Sequence, residues 1–216
     1  MEEAVLNKNM VDGQIKPING MSQQLLSAFY AIDRKDFIPD IYKSMSYAEI
    51  NIAIENNRTI FKPVLVAKIA LFIDLKANEN VLIVGSSTGY LSAILSHQAE
   101  TVIAVEENQR LLDDSENAIK KNNINNVVFI KNELSKGYND QAPFNAIIIE
   151  GAIQEVPSNI LDQLEEGGRL LALIDNDETC SAVLFKKNGN KFNEQKLFNC
   201  SLPVLEGFKK KNSFSF

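Results

Sequence analysis

A doubly wound α/β sheet ending in an antiparallel hairpin is the fold that three features of this chain predict. From Asn80 onward, short unbroken apolar runs alternate with polar or amphipathic stretches. Between the first two runs, "GSSTG" (85–89) reads as the tight turn of a strand-turn-helix unit. After Asp175 the pattern changes to two alternating segments around Asn188-Gly189, a strong hairpin signal. Unbroken apolar strands suit the centre of a parallel sheet covered on both faces, and strand-helix alternation suits crossover connections.

The elements follow in order. "MSQQLLSAFYAI" places Met21, Leu25, Ala28 or Phe29, and Ile32 on one helical face. "DFIPDIY" breaks it at Pro39. "KPVLVAKIALFIDL" reads as a helix with Pro63 in its first turn, burying Val66, Ile69, Ala70 and Ile73. The predicted strands are "VLIV" (81–84), "VIAV" (102–105), "VVFI" (127–130), "AIII" (146–149) and "LLALI" (170–174), with helical segments between them such as "NQRLLDDSENAIKKN". Gly167-Gly168 marks the turn before the fifth strand. The expected organisation is one domain over 1–216, with an N-terminal helical extension and loop at 1–62 and an α/β core at 63–216.

Composition narrows the function. The 216 residues are 45% apolar and 23% charged, ordinary for a globular chain with a real core. Net charge is 22 minus 28, or −6, and the one basic run is Lys209 to Lys211. A nucleic-acid partner is therefore not expected. No apolar run is long enough to span a bilayer, and "MEEAVLNKNMVDGQIKP" lacks the apolar stretch of a secretion signal, so no membrane association and a cytoplasmic location are expected. Cys180 and Cys200 read as two reduced, partly buried thiols. The single His97, near a helix end, leaves no metal site to expect and little room for histidine-dependent hydrolysis.

The turn carries the chemistry. In a doubly wound sheet, ligands bind beyond the carboxyl ends of the strands. Gly85 and Gly89 allow close backbone approach, and Glu106 ends the second strand, where a carboxylate can accept hydrogen bonds from ribose hydroxyls. "GSSTG" is one residue shorter between its outer glycines than the dinucleotide turn and lacks that turn's middle glycine. The short form with an acidic strand end fits a nucleoside with an amino-acid tail, S-adenosylmethionine. Ser87 stands where backbone approach is closest, and a φ below zero there would leave the turn unstrained.

The whole chain resembles the protein-L-isoaspartate O-methyltransferase family. The likeness runs in order through "NMVDGQIKP" (9–17), "AIDRKDFIPDIYKSMSYAEINIAI", "VLIVGSSTGY", "VIAVEEN", "APFNAIII", "LDQLEEGGRLLALI" and "LPVLEG". The resemblance implies a Rossmann-like S-adenosylmethionine-dependent methyltransferase sheet. It implies transfer of a methyl group to the free carboxylate of L-isoaspartyl residues in damaged proteins or peptides, a repair reaction; a monomer is expected. A carboxylate is already nucleophilic, so the reaction needs orientation and dryness rather than a general base. By the same resemblance, Gly85, Ser86, Ser87, Gly89 and Tyr90 form the cofactor loop, Glu106 holds the ribose, and Glu133 stands at the adenine end.

Two departures fall on the acceptor side. The substrate loop is "ENNRTIFKP" (55–63), which keeps Thr59, Ile60 and Pro63 but has Phe61 in place of the family's serine. Glu150-Gly151-Ala152 replaces the family's "TAA". Glu150 could point into the pocket and repel a substrate carboxylate, or lie solvated. Arg58 and Lys62 could offset it, or face water. The loop residues Thr59, Ile60 and Phe61, with Glu150, are thus the candidate acceptor side. The alternatives are a different acceptor on the same fold, or a cofactor-binding protein with little or no isoaspartyl activity.

Overall fold

The structure is a computed structural model describing residues 2–54 and 57–210. Helix α1 (Glu2–Met10) widens into one π-helical turn at Val11–Ile15. Helix α2 (Gln23–Ala31) starts at Ser22, whose hydroxyl accepts the Leu25 N–H, and buries Leu25, Leu26, Ala28 and Phe29. Two short strands not expected from the sequence pair antiparallel: β1 (Ile52–Ala53), just before the candidate substrate loop, and β2 (Thr59–Ile60), within it. Glu55 and Asn56 of that loop, and Lys211 of the basic run, lie outside the described residues. Helix α3 (Pro63–Ile73) has Pro63 in its first turn and buries Val66, Ile69, Ala70 and Ile73, as its pattern predicts.

The main sheet has seven strands: β3 (Asn80–Val84), β4 (Thr101–Glu106), β5 (Val127–Lys131), β6 (Phe144–Ile153), β7 (Leu164–Asp175), β8 (Cys180–Asn188) and β9 (Lys191–Cys200). Their order is β5-β4-β3-β6-β7-β8-β9. The first five strands run parallel, while β8 and β9 pair antiparallel. The chain leaves β3 outward through β4 and β5, then returns to the other side of β3 at β6. A doubly wound sheet places its ligand crevice at that reversal.

Among the described residues, two large clusters cover the faces of the main sheet, and a small third one joins Ile38, Ile52 and Ile60. Of the large two, one joins the N-terminal helices, α3 and α4 (Tyr90–Ser96) to one sheet face; the other covers the opposite face through Leu134, Phe144, Ile160, Leu164 and Leu205. Helix α5 (Gln109–Lys121) is capped by the Asn108 side chain.

Three expectations need correction. β5 is an edge strand, with Val128 42% exposed, so its apolar run does not mean cover on both faces. The connection from β5 to β6 holds only single 3-10 turns, and β6 to β7 only the one-turn helix α6 (Ser158–Leu161), so full helices do not fill every crossover. The hairpin loop is Gly189-Asn190, one residue later than predicted, because Asn188 pairs with Lys191. Cys180 and Cys200 are both free and face each other across β8 and β9, with sulfurs 3.1 Å apart. Among the described residues, no helix is long and apolar enough to cross a membrane, and no group of three acidic, His or Cys side chains could hold a metal.

Candidate functional site

The turn after β3 is stitched to β4. The N–H groups of Gly85 and Ser86 both donate to the Val105 carbonyl, at 2.8 and 3.1 Å. Gly85 and Gly89 have φ of +80° and +83°, the left-handed region that glycine enters without cost. Gly89 also allows close packing: a Cβ there would lie 3.1 Å from both Ser115 and Phe129. Ser87 has φ +52°. The condition for an unstrained serine, a φ below zero, is therefore not met, and a non-glycine residue in this region costs roughly 1–2 kcal/mol.

Glu106 lies at the centre of the site and is fully buried. Its Oε1 accepts the N–H groups of Glu107 and Asn108 at 3.0 and 3.2 Å. Its Oε2 accepts the Ser87 N–H at 3.0 Å and the Arg58 guanidinium at 2.5 Å. Arg58 is therefore neither solvated nor turned only to Glu150; it is 3% exposed and reaches across from the 55–63 loop to the carboxylate that ends β4. Its guanidinium fills the approach to the turn, because a Cβ at Gly85 would meet its Nη2 at 2.8 Å and its Nη1 at 2.9 Å.

Glu150 completes the acidic surroundings. The pairing of β6 with β7 shifts register between Ile148 and Ala152, a bulge that re-aims the intervening residues. Gly151 is needed there, because a Cβ would lie 2.3 Å from Leu205. Glu150 is buried rather than solvated, and its Oε2 has no hydrogen-bond partner. Burial pushes its carboxyl well above the usual carboxylate range; the Arg58 charge pulls it down and Glu106 pushes it up.

The other site residues divide. Ser86, Ser87, Tyr90 and Thr59 are buried, and each hydroxyl lacks a partner. Burial raises the Tyr90 hydroxyl, and the Arg34 guanidinium lies 5.7 Å from its ring centroid. Ile60 packs with Ile38 and Ile52. Phe61 is 1% exposed and belongs to the main core cluster, so its ring is packing and not an open acceptor wall. Glu133 is exposed in the turn after β5, two residues beyond the Lys131 that pairs with Glu106, and the Ser135 hydroxyl and Lys136 hold its carboxyl below the usual range. Lys62 pairs with Glu49 at 3.1 Å. His97 caps the end of α4 and is exposed.

Arg34 is a residue that sequence reasoning missed. It is fully buried, donating to the Phe61 carbonyl at 2.7 Å and to the Ser46 carbonyl. It thereby fixes the end of the substrate loop to the N-terminal extension. The available signal was an arginine set among Ile32, Phe37 and Ile38, all of which are buried.

The chain matches known proteins across most of its length. Residues 5–205 match the family model described as Protein-L-isoaspartate(D-aspartate) O-methyltransferase. A protein-L-isoaspartate O-methyltransferase of Dictyoglomus thermophilum is 30% identical over 186 residues, covering 86% of this chain and 84% of that protein. One from Vibrio campbellii is 32% identical, covering 72% and 75%. A solved protein-L-isoaspartate O-methyltransferase superposes with TM-score 0.82 at 24% identity, covering 93% of this chain and 66% of that one. A Plasmodium falciparum structure described as a putative member, in complex with S-adenosyl-L-homocysteine, gives TM-score 0.76 at 22% identity, covering 94% and 98%.

Proposed function

The chain belongs to the protein-L-isoaspartate(D-aspartate) O-methyltransferase family, and from that premise we propose that it methylates isoaspartyl carboxylates in proteins, using S-adenosylmethionine. The observation that carries this reading is the placement of Gly85, Gly89 and Glu106 together at the strand-order reversal.

The cradle fits such a cofactor by residue type. Its orphaned buried hydroxyls on Ser86, Ser87 and Thr59, and the free oxygen of Glu150, are polar groups in need of a partner. Glu106 would hold the ribose, and the Gly85–Gly89 backbone would follow the amino-acid tail. Tyr90 and Glu133 belong to the same proposal, Tyr90 at the buried wall and Glu133 at the outer, adenine end. When bound, the cofactor supplies an electrophilic methyl group on a sulfonium.

The chain's own part is orientation and exclusion of water. Thr59, Ile60 and Phe61 are all buried, so this stretch keeps the acceptor side dry. Arg34 holds the Phe61 carbonyl and so sets where Thr59 and Ile60 stand. Glu150, held toward its protonated form by burial, can donate a hydrogen bond to an acceptor carboxylate where the family uses a serine hydroxyl. A protonated carboxyl would not repel that acceptor. The attacking carboxylate needs no base.

The finer reading is a cytoplasmic monomer of one domain, with an extension at 1–62 and a core at 63–216, acting on protein and on neither nucleic acid nor membrane. A net charge of −6 supports a non-nucleic-acid partner. The test is radiolabelled methyl transfer to an isoaspartyl peptide beside its aspartyl control. Transfer to the first alone supports the reading; transfer to neither, with cofactor bound, leaves a different acceptor or a binding protein. Burial of Phe61 in the core, where no hydroxyl faces the acceptor, favours that second reading.

A further inference from the structure

Arg58 and a cofactor cannot share the cradle. The guanidinium bonds Glu106 Oε2 at 2.5 Å and lies against the Gly85 backbone, leaving no room for even one added carbon. Both are what a nucleoside with an amino-acid tail would need: the carboxylate for its ribose and the glycine for its close approach. We propose that Arg58 is the affinity-determining residue of this cleft, a side chain of the protein that competes with S-adenosylmethionine and must withdraw before it binds. The inference rests on the cofactor reading above.

The pairing of charges supports an exchange. Arg58 is the cation bonded to the buried Glu106 carboxylate, and its charge also acts on the buried carboxyl of Glu150. S-adenosylmethionine carries a sulfonium and an ammonium, so its arrival replaces one buried cation with another. The arginine is also held incompletely. Its Nε and Nη1 are buried without a partner, which weakens the resting contact relative to a bidentate pair. Glu106 does not depend on it, because three backbone N–H groups remain on the carboxylate when Arg58 leaves. The cradle therefore survives the exchange with its geometry held by the backbone.

The expected size follows from population arithmetic. If the state with Arg58 withdrawn is populated at about 1–10%, apparent affinity falls by roughly 10- to 100-fold relative to a chain without the arginine. Arg58→Gln removes the charge and the fork, and the three remaining N–H bonds to Glu106 keep the loop folded. Calorimetric titration with S-adenosylhomocysteine and with S-adenosylmethionine should show the variant binding at least about tenfold tighter than wild type. In wild-type protein, hydrogen exchange at the amides of Arg58 to Phe61 should speed up when S-adenosylhomocysteine is added, as a displaced segment would, whereas an ordinary ligand-binding loop slows. Equal or weaker binding by Arg58→Gln, with both proteins binding, overturns the competitor role and leaves the cofactor reading intact. Slower exchange at 58–61 on ligand addition also overturns it. No binding by either protein overturns the cofactor reading itself, and this inference with it.

Discussion

Replacing Ser87 with glycine should stabilise the protein, against the usual cost of introducing glycine. Ser87 has φ +52°, and its hydroxyl is buried without a partner. The left-handed backbone costs roughly 1–2 kcal/mol for a residue with a Cβ, and an unsatisfied buried hydroxyl costs about 1–3 kcal/mol. Glycine removes both and adds back roughly 0.4–1 kcal/mol of unfolded-state entropy. The loop's anchoring bonds are untouched, since the residue's N–H goes to Glu106 and its carbonyl accepts the Ser115 hydroxyl. The net expectation is about 1–4.5 kcal/mol of added stability, read as a shift in urea midpoint at constant slope, or a rise in Tm of about 2–4 °C per kcal/mol for a chain this size. Ser87→Ala is the partition: it removes the hydroxyl and keeps the strained Cβ, so it should recover only part of the gain. If Ser87→Gly lowers the midpoint, or if alanine gains as much as glycine, the backbone at this position is not strained and the reasoning fails.

Glu150→Gln should change how stability depends on pH. The folded carboxyl sits above its unfolded value of 4.5, so between those two values the folded state binds more protons than the unfolded state. Wild type therefore has this stability below about pH 4.5 and loses it as pH rises toward the folded value, at up to about 1.4 kcal/mol per pH unit. The glutamine variant should gain on wild type over that window in unfolding curves at stepped pH; parallel curves would refute a buried, proton-holding Glu150. Phe61→Ser, the change back to the family's residue, should cost about 3–5 kcal/mol because it empties a core site, and chemical denaturation would show that loss ahead of any gain in methyl transfer. Arg169 donates to both oxygens of Glu79 at 2.7 Å and to the carbonyls of Ile73, Asp74 and Asn145. Arg169→Ala should cost about 2–4 kcal/mol yet leave calorimetric cofactor affinity unchanged, since it sits at the opposite ends of the strands from Glu106.

Much of the framework is legible in the residues themselves. The runs at 81–84, 102–105 and 146–149 are strands because a strand buried on both faces must be apolar at every position, and four apolar residues between turn and polar segments are too few for an ordinary helix. Pro63 and Ser22 mark helix starts by chemistry that is local to each helix. Gly85 and Glu106 flag a candidate cradle because close backbone approach favours glycine and a strand-end acceptor of hydroxyl hydrogen bonds favours a carboxylate. What pattern could not say was how far cover extends. Val127 to Lys131 has the composition of a central strand, yet lies at the edge, since strand order is a property of the assembled sheet.

Charges were least legible of all. Arg58 in "NNRTI" looks like any loop arginine; only the fold brings it across 48 positions to Glu106 in a buried place. Glu150 reads equally as solvated or buried until a bulge turns it inward. Ser87 could take either sign of φ, and the three bonds that hold its turn against β4 decided it. Sequence by itself determined the strands of the main sheet and the glycine turn with its acidic strand end, because hydrophobic period and glycine geometry are properties of neighbouring residues. Tertiary structure alone decided what fills that cradle, because the partner of a buried charge is whichever opposite charge the chain delivers to the same low-dielectric place.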